Sequence, residues 1–303
     1  MAWLQLRAHI APQHADLLET LLTDEGAQAI TLEDAVDDPV FEPERGTTPL
    51  WQQTVLTGLY DDLEGVEAMI DRVRAQWASH AIDEPCPQID WEVLQDRDWS
   101  REWMDGFEPL QMGERLWIVP SWHEAPQPDA VNLLLDPGLA FGTGTHPTTA
   151  LCLGWLDEQA LAGHLRDTTV LDVGCGSGIL AIAALALGAG YALGTDIDPQ
   201  ALQASRDNAE RNAIEEHRLL LAPAEPAPSG RFDIVLANIL AAPLIELSSM
   251  IAARVAPGGR IALSGVLAQQ AEEVIDAYRH CGLHIDEPRE REGWVCITGT
   301  RPA

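Results

Sequence analysis

The sequence contains no lysine: its 18 basic residues are all arginines, set against 48 acidic residues for a formal net charge of −30. Nucleic-acid binding draws most of its affinity from neutralising phosphates, and no local basic cluster offsets this balance, so the chain is a poor candidate for gripping RNA or DNA directly. A basic protein would instead be attracted and steered by such a field. An acidic, lysine-free composition also suits a proteome adapted to salt, and charge alone does not choose between the two. Cysteine is scarce. The five present (Cys86, Cys152, Cys175, Cys281 and Cys296) are odd in number and scattered. No two have metal-ligand spacing, which predicts reduced thiols and no metal site. No apolar run approaches the roughly 18 residues of a membrane span, and Met1 to Arg7 lacks the charged start and apolar core of a signal peptide. These absences lead to the expectation of a cytoplasmic, monomeric protein that touches no membrane.

At 303 residues the chain has room for two domains. Apolar periodicity over residues 1–95 reads as β-α-β-β-α-β, with strands at Trp3–Ile10, Ala27–Leu32, Trp51–Tyr60 and Ile89–Leu94 and helices at Pro12–Thr23 and Leu63–Ala78. That order suits a small α+β ferredoxin-like domain. An acidic, proline-bearing loop is expected over Asp34–Pro49. Residues 96–115, with Trp99, Arg101, Trp103 and Phe107, read as a linker helix. Over residues 116–303, strands alternate with helices: Val131–Leu135, Thr169–Val173, Ala192–Asp196, Phe232–Ala237 and Arg260–Gly265 against Pro147–Leu161, Ile179–Leu187, Pro199–Asn212, Ala241–Arg254 and Ala268–Cys281. This alternation predicts an α/β domain with a parallel, doubly wound sheet, which binds ligands at the carboxyl ends of its strands.

The central motif lies at such an end. Val170-Leu171-Asp172-Val173 runs into Gly174-Cys175-Gly176-Ser177-Gly178 and then an alanine-rich helix. Glycine allows positive φ and close approach of backbone to a ligand. A dinucleotide loop has two residues between its second and third glycines, whereas here Ser177 alone separates them; that spacing resembles the first motif of class I methyltransferases, whose ligand has no phosphate, and a bare strand-to-helix turn stays open beside it. The next strand ends in Asp196, placed to accept both ribose hydroxyls of an adenosine moiety. Asp198, before Pro199, reads as a helix N-cap. The fourth strand ends at Asn238-Ile239-Leu240-Ala241, where a turn or capping role and a catalytic one are both open. Two prolines and an aromatic, typical after such a position in amide- and base-directed methyltransferases, are missing.

Upstream stands Leu135-Asp136-Pro137-Gly138-Leu139-Ala140-Phe141-Gly142-Thr143-Gly144-Thr145-His146-Pro147-Thr148-Thr149. With the glycine loop, Asn238-Ile239-Leu240-Ala241, Trp99-Ser100-Arg101-Glu102-Trp103 and Gly293-Trp294-Val295, it resembles the ribosomal protein L-eleven methyltransferase family (PrmA-type) over essentially the full length. The resemblance implies a class I methyltransferase Rossmann-like catalytic domain behind a small substrate-recognition domain. It implies S-adenosylmethionine as methyl donor, and trimethylation of lysine side chains and the N-terminal α-amine of that ribosomal protein. By motif match it places Thr149, Gly174, Gly176, Asp196 and Asn238 at the donor site, with Asn238 also catalytic. The loop bearing Phe141, Gly142 and Thr145 would then lie over the donor, and His146 is either structural or a base. Alternatives are a methyltransferase acting on another protein or a small molecule, a donor-binding ribosome assembly factor without catalysis, and a nicotinamide-dependent oxidoreductase, which the glycine spacing disfavours.

Overall fold

A computed structural model describes residues 3–35, 54–61, 65–80, 84–94, 108–136 and 146–303. The chain divides into two compact units, Met1–Met104 and Asp105–Ala303. The first comprises β1 (Trp3–Ile10), α1 (Ala15–Asp24), β2 (Ala29–Asp34), β3 (Thr54–Tyr60), α2 (Val66–Ser79) and β4 (Ile89–Leu94). Alternation in β1 sends Leu4, Leu6, Ala8 and Ile10 into the core. There they meet Leu18, Leu21 and Leu22 of α1 and Met69, Ile70, Val73 and Trp77 of α2. The sheet is antiparallel throughout, in the order β2-β3-β1-β4, which with this connectivity is the ferredoxin-like arrangement. Pro12 opens a short 3₁₀ turn ahead of α1, so the helix starts three residues later than its periodicity suggests. The acidic loop expected over 34–49 lies outside the described residues from 36 onward.

The second unit begins with β5 (Leu110–Gln111), β6 (Leu116–Val119) and β7 (Val131–Leu134), followed by α3 (Pro147–Leu161), β8 (Thr169–Val173), α4 (Ile179–Ala186), β9 (Tyr191–Asp196), α5 (Pro199–Arg211), β10 (Leu219–Pro223), β11 (Phe232–Asn238), α6 (Ala241–Glu246), α7 (Ser248–Arg254), β12 (Val255–Leu267), α8 (Ala271–His280), β13 (His284–Ile285), β14 (Arg289–Arg291) and β15 (Trp294–Thr300). The main sheet runs β10-β9-β8-β11-β12-β15-β13, with β14 on β15. Alternation along the central strands splits the core between two faces. Val170, Ile234, Leu236 and Ala262 pack with α3 and α4, while Leu171, Val235, Ala237 and Ile261 pack with α6, α7 and α8.

Four sequence expectations need correction. The main sheet is mixed rather than parallel: β15 enters antiparallel to β12 because it leaves β14 through a two-residue hairpin, which must reverse direction. The segment at 131–135 is not a strand of that sheet. It pairs with β6 in a separate three-stranded sheet, β5-β6-β7, and its half-exposed pattern suits that flank. The helix over 241–254 is broken at Leu247 into α6 and α7. The linker region expected to be helical over 96–115 lies outside the described residues as far as 107, and from 108 to 115 it is extended or turning, with β5 within it.

Candidate functional site

The carboxyl ends of β8, β9, β11 and β12 share one edge of the sheet. After β8 the chain passes through Gly174, Gly176 and Gly178, all at positive φ (70°, 54° and 78°). A Cβ at Gly174 would strike the side chain of Ile239, so this position demands glycine for space as well as for conformation. The loop is tied down from within. Gly174 and Cys175 donate their N–H groups to the Thr195 carbonyl at 2.7 and 3.0 Å. Ser205 Oγ donates to the Gly176 carbonyl at 2.8 Å, and Asn208 Nδ2 to that of Ser177 at 2.9 Å.

Asp196, at the end of β9, is fixed by two backbone donors. Gly176 N–H reaches its Oδ2 at 2.9 Å, and Asp198 N–H its Oδ1 at 3.0 Å. Each oxygen keeps a further lone pair, so the carboxylate can still accept a pair of hydroxyls. Asp198 caps α5 through Gln200 N–H at 2.8 Å, as its place before Pro199 predicts. Beside them Ile197 is 90% exposed, a large apolar side chain next to the Asp196 carboxylate. Sequence reasoning passed over it, although its position directly after Asp196 was the available signal.

Asn238 ends β11. Its Nδ2 donates to Thr149 Oγ1 at 3.2 Å, while its Oδ1 is buried and meets no partner among the described residues. Thr149 is fully buried in the first turn of α3. That helix is capped by His146, whose Nδ1 accepts from Thr148 N–H at 3.3 Å and lies 2.7 Å from Thr148 Oγ1. Burial lowers the imidazole pKa, with Glu292 opposing, and its Nδ1 serves as the helix cap. The same ring meets Trp294 edge-to-face at a centroid distance of 4.9 Å.

Two features had no legible signal. Ile239 is wedged between Gly174 and Gly265. The latter has φ 85°, and a Cβ there would strike the Ile239 backbone, so the residue after Asn238 is gripped from both sides. Asp172 is buried beneath the glycine loop. Its Oδ2 accepts Ala181 N–H at 3.2 Å, and its Oδ1 has no partner among the described residues. Burial, with Asp196 nearby, pushes its pKa up to about 7. Burial likewise raises the Cys175 thiol to about 12, which removes it as a nucleophile.

Of the residues singled out from sequence, Gly176 and Asp196 are in direct contact, as are Asn238 and Thr149, and Ile239 against Gly174 joins the two groups. Phe141, Gly142 and Thr145 lie outside the described residues. No grouping of three metal-binding side chains occurs among the described residues, and none of their helices is long and apolar enough to cross a membrane.

A family model described as ribosomal protein L11 methyltransferase (PrmA) matches residues 2–302. A protein of that name from Chromohalobacter salexigens is 69% identical over 303 residues, the full length of both chains. Another, from Pseudomonas aeruginosa, is 54% identical, again over both full lengths. The crystal structure of a ribosomal protein L11 methylase from Lactobacillus delbrueckii subsp. bulgaricus superposes with a TM-score of 0.58 at 33% identity, covering 65% of this chain and all of that one.

Proposed function

The chain belongs to the ribosomal protein L11 methyltransferase family, and we propose that it transfers methyl groups from S-adenosylmethionine to lysine side chains and the N-terminal α-amine of that ribosomal protein, as far as the trimethylated state. The residues fit the donor. Gly174 leaves room for backbone approach, the Asp196 carboxylate accepts the ribose hydroxyls, and Ile197 offers an apolar face to the adenine. The glycine loop carries no cation for a phosphate. When bound, S-adenosylmethionine supplies an electrophilic sulfonium methyl. Thr149 and Gly176 complete the donor site in this reading, and the family resemblance adds Phe141, Gly142 and Thr145 to it.

The observation that carries the reading is the Asn238 carboxamide. Thr149 fixes its nitrogen, which leaves the buried oxygen as an open acceptor at the mouth of the sheet. An amine donating N–H to that oxygen is held with its lone pair free to attack. A lysine with pKa near 10.4 must first lose its proton, at a cost of about 4–5 kcal/mol at pH 7, and desolvation beside a sulfonium reduces that cost. The histidine at the site is occupied as a helix cap, so alignment is the protein's main contribution, worth on the order of 7–11 kcal/mol. The N-terminal unit presents the protein substrate. Intact-mass spectrometry of the ribosomal protein after incubation with enzyme and donor tests all of this together. Steps of about 14 Da at lysines and the α-amine are expected, and no mass change with donor binding intact would overturn the substrate assignment.

A further inference from the structure

Asn238 has a chemical limit. The neutral amine that attacks carries two N–H groups before the first transfer, one before the second and none before the third. The Asn238 oxygen can therefore orient the first two acceptors by hydrogen bonding, but a dimethylated amine gives it nothing to accept. Completion of the series needs a surface that recognises methylated nitrogen without N–H.

Such a surface stands across β12 from Asn238. In the sheet register Asn238 lies opposite Ser264, Ser264 Oγ donates to the Val295 carbonyl at 2.9 Å, and Trp294 starts β15 opposite Leu267. A second path of contacts closes the circuit. Asn238 bonds Thr149, Thr149 N–H donates to the His146 carbonyl at 3.1 Å, and the His146 ring packs on the Trp294 indole. Trp294 is half-buried. It is held there by the turn at Glu292 and Gly293, with φ of 54° and 77°. Glutamate is seldom found at a left-handed turn position that favours asparagine, aspartate or glycine, and such strain collects at functional sites. The turn also brings a carboxylate, paired with Arg291 Nε at 3.2 Å, to the same corner. An aromatic face beside a carboxylate is the chemistry that binds methylated ammonium groups.

Resting on the proposed amine specificity, we propose that Trp294, backed by His146, is a specificity-determining residue that lets the reaction reach the third methyl by holding the dimethylated amine against its indole. In each transfer the amine lone pair forms the new N–C bond while the methyl C–S bond breaks, and that electron pair stays on sulfur as a neutral thioether. After the first and second transfers a proton passes to water and restores the lone pair. After the third there is no proton to lose, and a quaternary ammonium departs. Positive charge grows on nitrogen as the bond forms, so the ring interaction strengthens towards the transition state.

The test uses the full chain, the ribosomal protein and S-adenosylmethionine, with methylation read at each amine by mass spectrometry over the time course. In Trp294→Leu the third transfer should slow about tenfold more than the first, so that dimethylated product accumulates, and Trp294→Phe should restore the trimethylated product. Where the leucine variant does not fold, Trp294→Met, apolar and bulky without an aromatic face, carries the same expectation. Calorimetry should show binding of the trimethylated protein weakened relative to the unmodified one in the leucine or methionine variant, but not in the phenylalanine variant. An unchanged ratio of di- to trimethylated product, or an equal slowing of all three transfers, overturns the inference. A wild-type enzyme that stops short of trimethylation overturns instead the reading on which it rests.

Discussion

The two ends of the same central strands treat polar side chains in opposite ways. At the amino end, Thr169 and Asp233 satisfy each other: Asp233 Oδ2 accepts from both the backbone N–H and the hydroxyl of Thr169 at 2.8 Å, and Asp233 N–H lies 3.2 Å from Thr169 Oγ1. At the carboxyl end of β8 and β11, Asp172 and Asn238 each bury an oxygen with no partner among the described residues. Buried polar groups are normally paired, and leaving one open costs about 1–3 kcal/mol. Within one sheet, then, the carboxyl end, where the proposed site lies, carries open acceptors, and the opposite end is closed upon itself. Function and stability should separate along the strand axis.

The separation is tested most sharply by Asn238→Ala. With saturating donor, turnover should fall by about 100-fold while the thermal midpoint stays within a few degrees. Retained turnover would remove the open oxygen from the mechanism. Next comes Gly265→Ala, which places a Cβ against the Ile239 backbone at a φ that alanine resists. We expect a loss of about 2–3 kcal/mol in a guanidinium titration, together with a drop in turnover, because the displaced residue adjoins Asn238. An effect on stability alone would show that the two are uncoupled.

A pH series addresses Asp172. Its pKa is raised from an ordinary 3.8 to about 7 in the folded protein. Its contribution to stability is thus fully present below the unfolded value and is lost as pH rises through about 7. Asp172→Asn, which keeps an acceptor for Ala181, should stabilise the protein by a margin that widens between about pH 4 and 7 and then levels off. A margin independent of pH would mean that Asp172 is ionised at no such cost. The smallest effect is expected at the closed end: Thr169→Val should cost about 1 kcal/mol in the same titration and leave turnover unchanged. A comparable loss of turnover there would erase the contrast between the two ends.

How much of this could be read beforehand follows the same physics. The alternation of Leu4, Leu6, Ala8 and Ile10 and the run from Val170 to Ile179 are local patterns, and local patterns announce strands and loops. The place of Asp196 at the tip of β9 was legible because the strand before it is a short apolar run. The mixed direction of the sheet was not, since β15 is set by a glutamate in a left-handed turn, a choice that runs against propensity. With two residues, β5 is too short for a period to show. The wedge of Ile239 joins residues 174, 239 and 265, which are distant in sequence, and no single-chain pattern encodes such a contact. His146 shows the converse. Next to Pro147 it is expected to be structural or a base, and the structure adds its helix-capping contact with Thr148.

That wedge also constrains redesign. Because one isoleucine touches both the glycine loop proposed to cradle the donor and Gly265 on β12, pocket size on the proposed donor side and amine presentation on the other cannot be tuned separately. A variant trimmed at Ile239 to admit a bulkier sulfonium, such as an allyl or propargyl donor, should shift Asn238 as well. Such a variant would need a compensating change at position 265 before it could alkylate at a useful rate.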